Sequence, residues 1–139
     1  LLRLAKLTGR SYFFEAAESC LRLGQGLLEN HPSAAGQMLL ALEFLLGPTP
    51  EIVLVGDPAG GDTADALDEI RRQFIPNRVL ACRSDPTTGS AHLQALFAGK
   101  EAGAATPTLY LCENFACAAP VSGREKVVER IRSLGNPNH

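Results

Sequence analysis

The sequence lacks the features that mark several large classes of protein. None of its apolar runs approaches the roughly 20 residues that a membrane-spanning helix needs. Charged residues make up 20% of the chain and sum to a formal net charge of -2. Both signs are scattered, so there is no basic stripe of the kind that attracts a phosphate backbone. These absences argue against a membrane partner and against a nucleic-acid partner.

Cysteine is scarce as well. The four cysteines, Cys20, Cys82, Cys112 and Cys117, are too few and too irregularly spaced for a small disulfide scaffold. The start of the chain lacks the basic, apolar and small-residue order of a signal peptide. We therefore expect a reducing, cytoplasmic location. Because the chain begins without methionine, we also expect it to be a piece of a longer protein.

Familiar catalytic signatures are missing too. The chain has no Gly-x-Ser-x-Gly, and its Gly-Asp-Pro-Ala-Gly-Gly stretch at 56–61 is neither a dinucleotide fingerprint nor a P-loop. Asp57 would also repel a phosphate, so a plain glycine-rich turn is the better interpretation. The acid pairs of residues 65–69 are interpreted as a solvated helix face. We expect no cofactor and assign no catalytic residue.

Residues 1–46 instead show the period of α-helices. We expect one helix that stops at Gly9, a second that starts near Ser11, and a third over residues 34–46. Only Gln37 and Glu43 interrupt the apolar surface of the third helix. Such a helix needs to be covered on several sides, by absent neighbours or by a second copy of the chain.

From Glu51 the pattern changes to short apolar runs that alternate with amphipathic stretches. We expect strands at 52–55, 79–82 and 108–112, and helices at about 63–74, 93–97 and 123–134, the last with a capping-box spacing from Ser122 to Glu125. Phe74 is placed on the buried side of its helix. This alternation predicts an α/β fold: an N-terminal helical hairpin followed by a three-stranded parallel sheet with flanking helices. The proline-rich stretch 47–50 separates a helical segment, 1–47, from a small α/β domain, 48–139.

In a parallel sheet the carboxyl ends of the strands meet at one edge, where ligands bind. Cys82 and Cys112 are therefore expected on the same side, with Cys117 in the loop above them. A small-molecule pocket at this edge would be lined by the residues at the strand ends and in that loop, namely Gly56, Asp57, Cys82, Asn114 and Phe115.

The cysteines at this edge allow three interpretations. Cys112 and Cys117 form a disulfide or redox pair if the residues between them fold back and bring the Cα atoms within about 7 Å. A zinc site made of Cys82, Cys112, Cys117 and His92 is a weaker alternative, because only one close cysteine pair occurs. In the most ordinary interpretation Cys112 is a small buried hydrophobe and Cys117 a loop thiol.

Several stretches together resemble a known family. They are residues 31–34 with 42–47, residues 51–57 with 76–80, and above all the pattern Tyr-x-Cys-Glu-Asn-Phe-x-Cys-x-Ala-Pro-Val at 110–121. These are similar to the C-terminal end of YyaL-type proteins, which are thioredoxin-domain-containing proteins related to a spermatogenesis-associated protein of animals. The resemblance implies a long parent with an N-terminal thioredoxin-like domain, a central α/α toroid similar to that of N-acylglucosamine 2-epimerases and some glycosidases, and a C-terminal α/β piece. Residues 1–47 would then be the end of the toroid.

The resemblance implies no catalytic residue in the stretch present here. We therefore expect a non-catalytic accessory domain that packs on the remaining domains of its parent, whose activity would be carbohydrate-related or redox. A homo-oligomer through residues 34–46 is an alternative. Two other functions remain open: thiol-disulfide or metal chemistry centred on Cys112 and Cys117, and small-molecule binding at the sheet edge.

Overall fold

A computed structural model of the chain describes residues 1–84, 91–103, 106–113 and 116–135. In these ranges four helices precede a five-stranded sheet, and three more helices lie between or after its strands. The helices are α1 Leu2–Thr8, α2 Ser11–Leu23, α3 Gln25–Asn30, α4 Gly36–Leu46, α5 Gly61–Arg72, α6 Gln94–Phe97 and α7 Arg124–Leu134. The strands are β1 Glu51–Val55, β2 Val79–Arg83, β3 Thr108–Glu113, β4 Ala116–Cys117 and β5 Val121–Ser122. The predicted α/β class with N-terminal helices is confirmed.

The N-terminal helices follow the predicted pattern with one interruption. α1 ends at Gly9, whose φ of 67° lies in the left-handed region that glycine tolerates best. The expected second helix is divided at Gly24 into α2 and α3. A Cβ atom at Gly24 would lie 1.8 Å from Cε of Met38, so glycine allows α4 to approach closely. None of the described helices is long and apolar enough to cross a membrane.

The sheet is organised around β1, whose residues 52–55 are completely buried. Side chains alternate between the two faces of a strand, and both faces of β1 are covered. On one face α5 and α7 pack together over Ile52 and Leu54. On the other face Val53 and Val55 contact Leu96 and Phe97 at α6. The apolar run of β1 is thus that of a strand buried on both sides.

The prediction of an all-parallel sheet is wrong. The sheet order is β2-β1-β3-β4, with β5 also paired to β3. β1 and β2 are parallel, but β3 is antiparallel to β1, with Val53 opposite Tyr110. The chain enters β3 beside the carboxyl end of β1, where Pro107 lies next to Gly56. The burial pattern of a strand does not distinguish the two directions, so the sequence pattern did not reveal the antiparallel pairing.

The region around β3 departs from the prediction in two further ways. Ser122 is not a helix cap: it lies in β5, and its hydroxyl is 3.1 Å from the hydroxyl of Thr108. α7 begins after Gly123, which has a φ of 92°. Phe74 is 85% exposed because α5 ends at Arg72 and the chain changes direction there. The Thr106–Pro107 peptide bond is cis.

Candidate functional site

β3 and β4 form a hairpin that ends in a disulfide. Cys112 lies directly opposite Cys117 in the antiparallel pairing. The two side chains are bonded, with their Cα atoms 3.9 Å apart, well inside the roughly 7 Å within which a disulfide can form. The interpretation of Cys112 and Cys117 as two separate thiols is therefore wrong for this structure. The redox role of the pair stays a prediction.

The two cysteines of this bond differ in exposure. Cys112 is 4% exposed and its strand position faces Glu51 of β1. Cys117 lies on β4, the outermost strand in the sheet order, and is exposed. An external thiol can thus approach the Cys117 sulfur more easily than the Cys112 sulfur. Asn114 and Phe115, which connect the two strands, lie outside the described residues.

Gly56, Asp57 and Cys82 come together at the other end of the sheet. The Cys82 thiol lies 3.8 Å from the Gly56 carbonyl oxygen, to which it donates a weak hydrogen bond. Burial raises the pKa of Cys82, and the negative charge of Asp57 raises this pKa further. Because both effects disfavour the thiolate, Cys82 is a poor nucleophile in the folded chain.

Asp57 shapes the turn that leads from β1 into α5. Its Oδ1 atom accepts a hydrogen bond from the Ala59 amide at 3.0 Å, and its carbonyl accepts one from the Gly60 amide at 2.9 Å. Gly56 is required just before this turn, since a Cβ atom there would lie 2.5 Å from Oγ1 of Thr63. The turn itself is open to solvent from Asp57 to Ala59.

The structure does not bring together all the residues predicted for one sheet edge. Cys82 is paired with Leu54 of β1, whereas Cys112 is paired with Glu51 on the opposite side of the same strand. These positions are separated by about 10 Å along β1, from the rise per residue of a strand. The expectation that Cys82 and Cys112 share one edge is wrong, because β3 runs antiparallel to β1.

The four proposed zinc ligands are likewise not assembled. Cys82 is remote from the Cys112–Cys117 disulfide, whose sulfur atoms are already bonded to each other. Nδ1 of His92 lies 3.0 Å from the Arg10 guanidinium. Within the described ranges no group of three or more His, Cys, Asp or Glu side chains could hold a metal ion.

Among the buried titratable residues that the sequence analysis missed are Glu69 and Lys100. Glu69 of α5 is 6% exposed, not solvated as predicted, and its carboxylate lies 3.2 Å from Nε of Arg132 and 2.7 Å from Nε2 of Gln73. The hydrogen bonds from Arg132 and Gln73 lower the pKa of Glu69. Its position three residues after Ala66, on the buried face of α5, was the available signal. These contacts hold α5 against α7 and give no sign of catalysis.

Lys100 is also a buried titratable residue. Its ammonium group donates a 2.8 Å hydrogen bond to the Leu96 carbonyl. Burial lowers the pKa of Lys100, and the charge of Glu51 opposes this shift. Arg83 also donates to the Lys100 carbonyl, and its guanidinium lies 4.7 Å from the centre of the Phe97 ring. Lys100 therefore closes the end of α6 and fixes it to the sheet.

An incompletely covered apolar surface surrounds α4. Leu39, Leu40 and Leu46 are 40%, 57% and 75% exposed, although all three belong to this one helix. A cavity of about 630 Å³ opens between α1, α2 and α4, and one of about 620 Å³ lies on the α3 side of α4. Both cavities are lined by Met38 and Leu40. We call Leu39, Leu40, Leu46 and the walls of these two cavities the α4 surface.

The chain also has relatives among known proteins. The rat spermatogenesis-associated protein 20 is 28% identical over 123 residues, which is 88% of this chain and 16% of the rat protein. The chain is similar to part of spermatogenesis-associated protein 20. The human protein is 27% identical over the same share of each chain, and an uncharacterized protein of Caenorhabditis elegans is 28% identical over 98% of this chain and 18% of its own length. No family model and no solved structure matches the chain.

The match covers most of this chain but only a small part of each relative. The chain spans about a sixth of the length of spermatogenesis-associated protein 20, while nearly all of the chain takes part in the match. The similarity therefore indicates a domain of a larger protein.

Proposed function

We propose that this chain is a non-catalytic accessory domain that packs, through the α4 surface, on the remainder of a longer YyaL-type polypeptide. The exposure of Leu39, Leu40 and Leu46 on one helix is the observation that carries the proposal. Scattered exposed leucines are common, but three on one helix beside two apolar cavities are typical of an interaction surface. In this proposal residues 1–47 are the last helices of an α/α toroid.

The energetics favour such packing. Full burial of a leucine side chain contributes about 1.5–3 kcal/mol. Leu39, Leu40 and Leu46 of α4 still expose 40–75% of their surface, so much of this free energy is not yet gained. The first cavity has apolar walls that include Leu2, Ala17 and Leu21, and Arg3 and Asn77 supply polar groups. Apolar side chains of a neighbouring helix would fill the cavities, while polar groups at the rim would keep their hydrogen bonds.

The similarity to longer proteins favours the remainder of the same polypeptide as the partner that covers the α4 surface. About five sixths of each relative lies outside the matched stretch, so a large surface is available within one chain. An intramolecular partner has a high effective concentration and needs little affinity of its own. A second copy of this chain is the alternative occupant of the α4 surface.

The substitution Leu40→Gln tests the proposal when it is made both in this chain and in the longer polypeptide. We expect it to change the stability of the isolated chain by less than about 1 kcal/mol, because Leu40 is already 57% exposed. In the longer polypeptide it should cost about 1–3 kcal/mol, measured by chemical denaturation. Lys126→Gln, on the exposed side of α7, is the matched control and should be neutral in both.

Equal effects of Leu40→Gln in the two proteins would contradict the packing. Sedimentation equilibrium of the isolated chain tests the alternative occupant. A dimer that Leu40→Gln dissociates, combined with no effect in the longer polypeptide, would assign the α4 surface to self-association instead.

The observed disulfide favours a second candidate function, thiol-disulfide exchange at Cys112 and Cys117. A thiolate of a dithiol partner would attack the exposed Cys117 sulfur, and Cys112 would leave and take up a proton. The second thiol of the partner would then release Cys117, so that the partner is oxidised to a disulfide and this chain gains two thiols. The resemblance implies a thioredoxin-like domain of the parent as such a partner. We place this cycle in the cytoplasm, where glutathione and thioredoxin can reduce exposed disulfides.

A trapping variant tests this second function. A reduced partner whose second cysteine is replaced by serine should attack the intact bond and accumulate as a mixed disulfide, because no second thiol remains to release it. Peptide mapping should find the partner on the exposed Cys117 and far less on the buried Cys112. The variant with both Cys112→Ser and Cys117→Ser has no bond to attack and is the control. Equal trapping, or none, would contradict exchange at this bond. Small-molecule binding at the Gly56 end of the sheet stays a prediction.

A further inference from the structure

We propose that the described residues from 48 to 135 form a thioredoxin-like module in which the turn Asp57-Pro58-Ala59-Gly60 occupies the place of a Cys-x-x-Cys redox motif. The module keeps the frame of a dithiol site but has no cysteine in it. This goes beyond the packing of the α4 surface, since it concerns a different part of the fold and does not depend on what covers α4.

The connectivity of the sheet is the first observation. β1 and β2 are parallel and joined through α5, and β3 then adds antiparallel to the free side of β1. β4 and β5 complete a hairpin with β3, and α7 follows. The thioredoxin fold has the same strand order: second, first, third, fourth. Its first two strands are parallel to each other, and its third strand is antiparallel to the first and to the fourth.

The placement of the helices agrees with this fold. α5 and α7 cover one face of the sheet, through residues such as Ile70 and Ile131. α6 covers the other face, where Phe97 packs on Val53 and Val55. A ferredoxin-like fold, the other common arrangement built around a βαβ unit, keeps its helices on one face. The crossing of α6 to the opposite face therefore distinguishes the two.

The position of the turn is the second observation. In thioredoxin-like oxidoreductases the cysteine pair follows the first strand and opens the first helix, where the helix N-terminus lowers the pKa of the attacking thiol. In this chain that position is residues 57–60, between the end of β1 at Val55 and the start of α5 at Gly61. Asp57, Pro58 and Ala59 are exposed, as a site for macromolecular disulfides requires.

The geometry of the turn is the third observation. A Cβ atom built on Gly60 would lie 3.7 Å from Cβ of Asp57, and disulfide-bonded cysteines have Cβ atoms about 3.8 Å apart. Gly60 has a φ of -73°, which any L-residue can adopt. A Cβ atom built on the next residue, Gly61, has no neighbour within 4 Å. The turn thus retains the spacing of a disulfide at positions 57 and 60 specifically.

The natural cysteines do not replace the missing pair. Cys82 is close to the turn, but its thiol is directed to the Gly56 carbonyl and no second cysteine lies beside it in the described part of the chain. The Cys112–Cys117 disulfide lies toward the other end of β1, next to Glu51. The module is therefore redox-silent at the position where the fold usually performs thiol chemistry.

Installing the missing cysteines tests the proposal. The double variant Asp57→Cys with Gly60→Cys is made in a Cys20→Ser and Cys82→Ala background, which removes the competing free thiols. We expect a second disulfide to form in air, identified by peptide mapping between positions 57 and 60. The matched control, Asp57→Cys with Gly61→Cys, differs by one residue in spacing and should keep both thiols free.

Activity supplies the second readout. The reduced thiol at position 57 would attack an insulin disulfide, the thiol at position 60 would resolve the mixed disulfide, and insulin would leave as two thiols while dithiothreitol reduces the module again. We expect dithiothreitol-driven insulin reduction to exceed that of the control by at least about tenfold. Failure of the new disulfide to form, or insulin reduction no faster than in the control, would overturn the proposal.

The unmodified chain offers an independent check if the double variant does not fold. Nuclear Overhauser contacts between Val53 and Tyr110 are expected from the antiparallel β1–β3 pairing. A parallel β1–β3 pairing would overturn the thioredoxin-like assignment whatever the variants do. Neither outcome bears on the effect of Leu40→Gln, so failure of this inference is distinguishable from failure of the packing proposal.

Discussion

The Glu69 carboxylate of α5 lies 3.2 Å from the Arg132 guanidinium of α7, and this ion pair joins the two helices that cover one face of the sheet. Since the folded-state pKa of Glu69 is lowered, its contribution to stability is present above the unfolded pKa and is lost as the pH falls through the folded pKa. Glu69→Gln should therefore destabilise the chain at about pH 7 and have a much smaller effect near pH 3, measured by urea unfolding.

Asp68→Asn is the matched control for Glu69→Gln. Asp68 is adjacent in α5 and forms an ion pair with Arg71, but both of these side chains are more than half exposed. Exposed pairs contribute little, so Asp68→Asn should be nearly neutral at both pH values. If Glu69→Gln and Asp68→Asn changed the free energy of unfolding equally at both pH values, the Glu69–Arg132 ion pair would not stabilise the contact between α5 and α7.

Gly56→Ala should destabilise the fold by about 1–3 kcal/mol, because the new Cβ would lie 2.5 Å from the Thr63 hydroxyl. Gly61→Ala is the control, because its Cβ meets nothing within 4 Å. Alanine also favours the first turn of α5. Gly61→Ala should therefore leave the free energy of unfolding unchanged or raise it by up to about 1 kcal/mol. Adding Thr63→Ala to Gly56→Ala should recover part of the loss. No recovery would show that the collision with Thr63 is not the cause.

The oxidised chain should contain two free thiols of very different reactivity. Cys20 is exposed and should react with a maleimide readily, whereas Cys82 should react slowly in the folded state because burial and Asp57 raise its pKa. Its labelling should accelerate with rising pH and on addition of denaturant. Mass spectrometry of Cys82→Ala assigns the slow site. Four rapidly labelled thiols would contradict the Cys112–Cys117 bond.

The sequence was sufficient for features that depend on local pattern. The end of α1 at Gly9 and the doubly buried β1 both follow from signals within a few residues. The direction of β3 depends on where the chain passes between β2 and Pro107, which no periodicity records. β4 and β5 contain two residues each and are too short to give an alternation signal.

The candidate site was predicted only in part for the same reason. Gly56 and Asp57 directly follow β1, and Cys82 lies in the parallel strand β2, so placing them together required only the βαβ rule. Cys112 was assigned to the same edge by extending that rule to a strand that runs the other way. Ser122 satisfied a capping-box spacing, but in the structure it pairs opposite Thr108 in β5, a contact between distant residues that the local spacing does not record.

Hydrogen exchange at α4 tests the packing proposal most directly. The amides of Gly36–Leu46 should exchange at least about tenfold more slowly in the longer polypeptide than in this chain alone, because burial of Leu39, Leu40 and Leu46 suppresses local opening. The amides of α7, which is already packed on α5, should exchange at similar rates in both proteins. Equal exchange of α4 in the two proteins would contradict the proposal that this helix is the surface on which the domain packs.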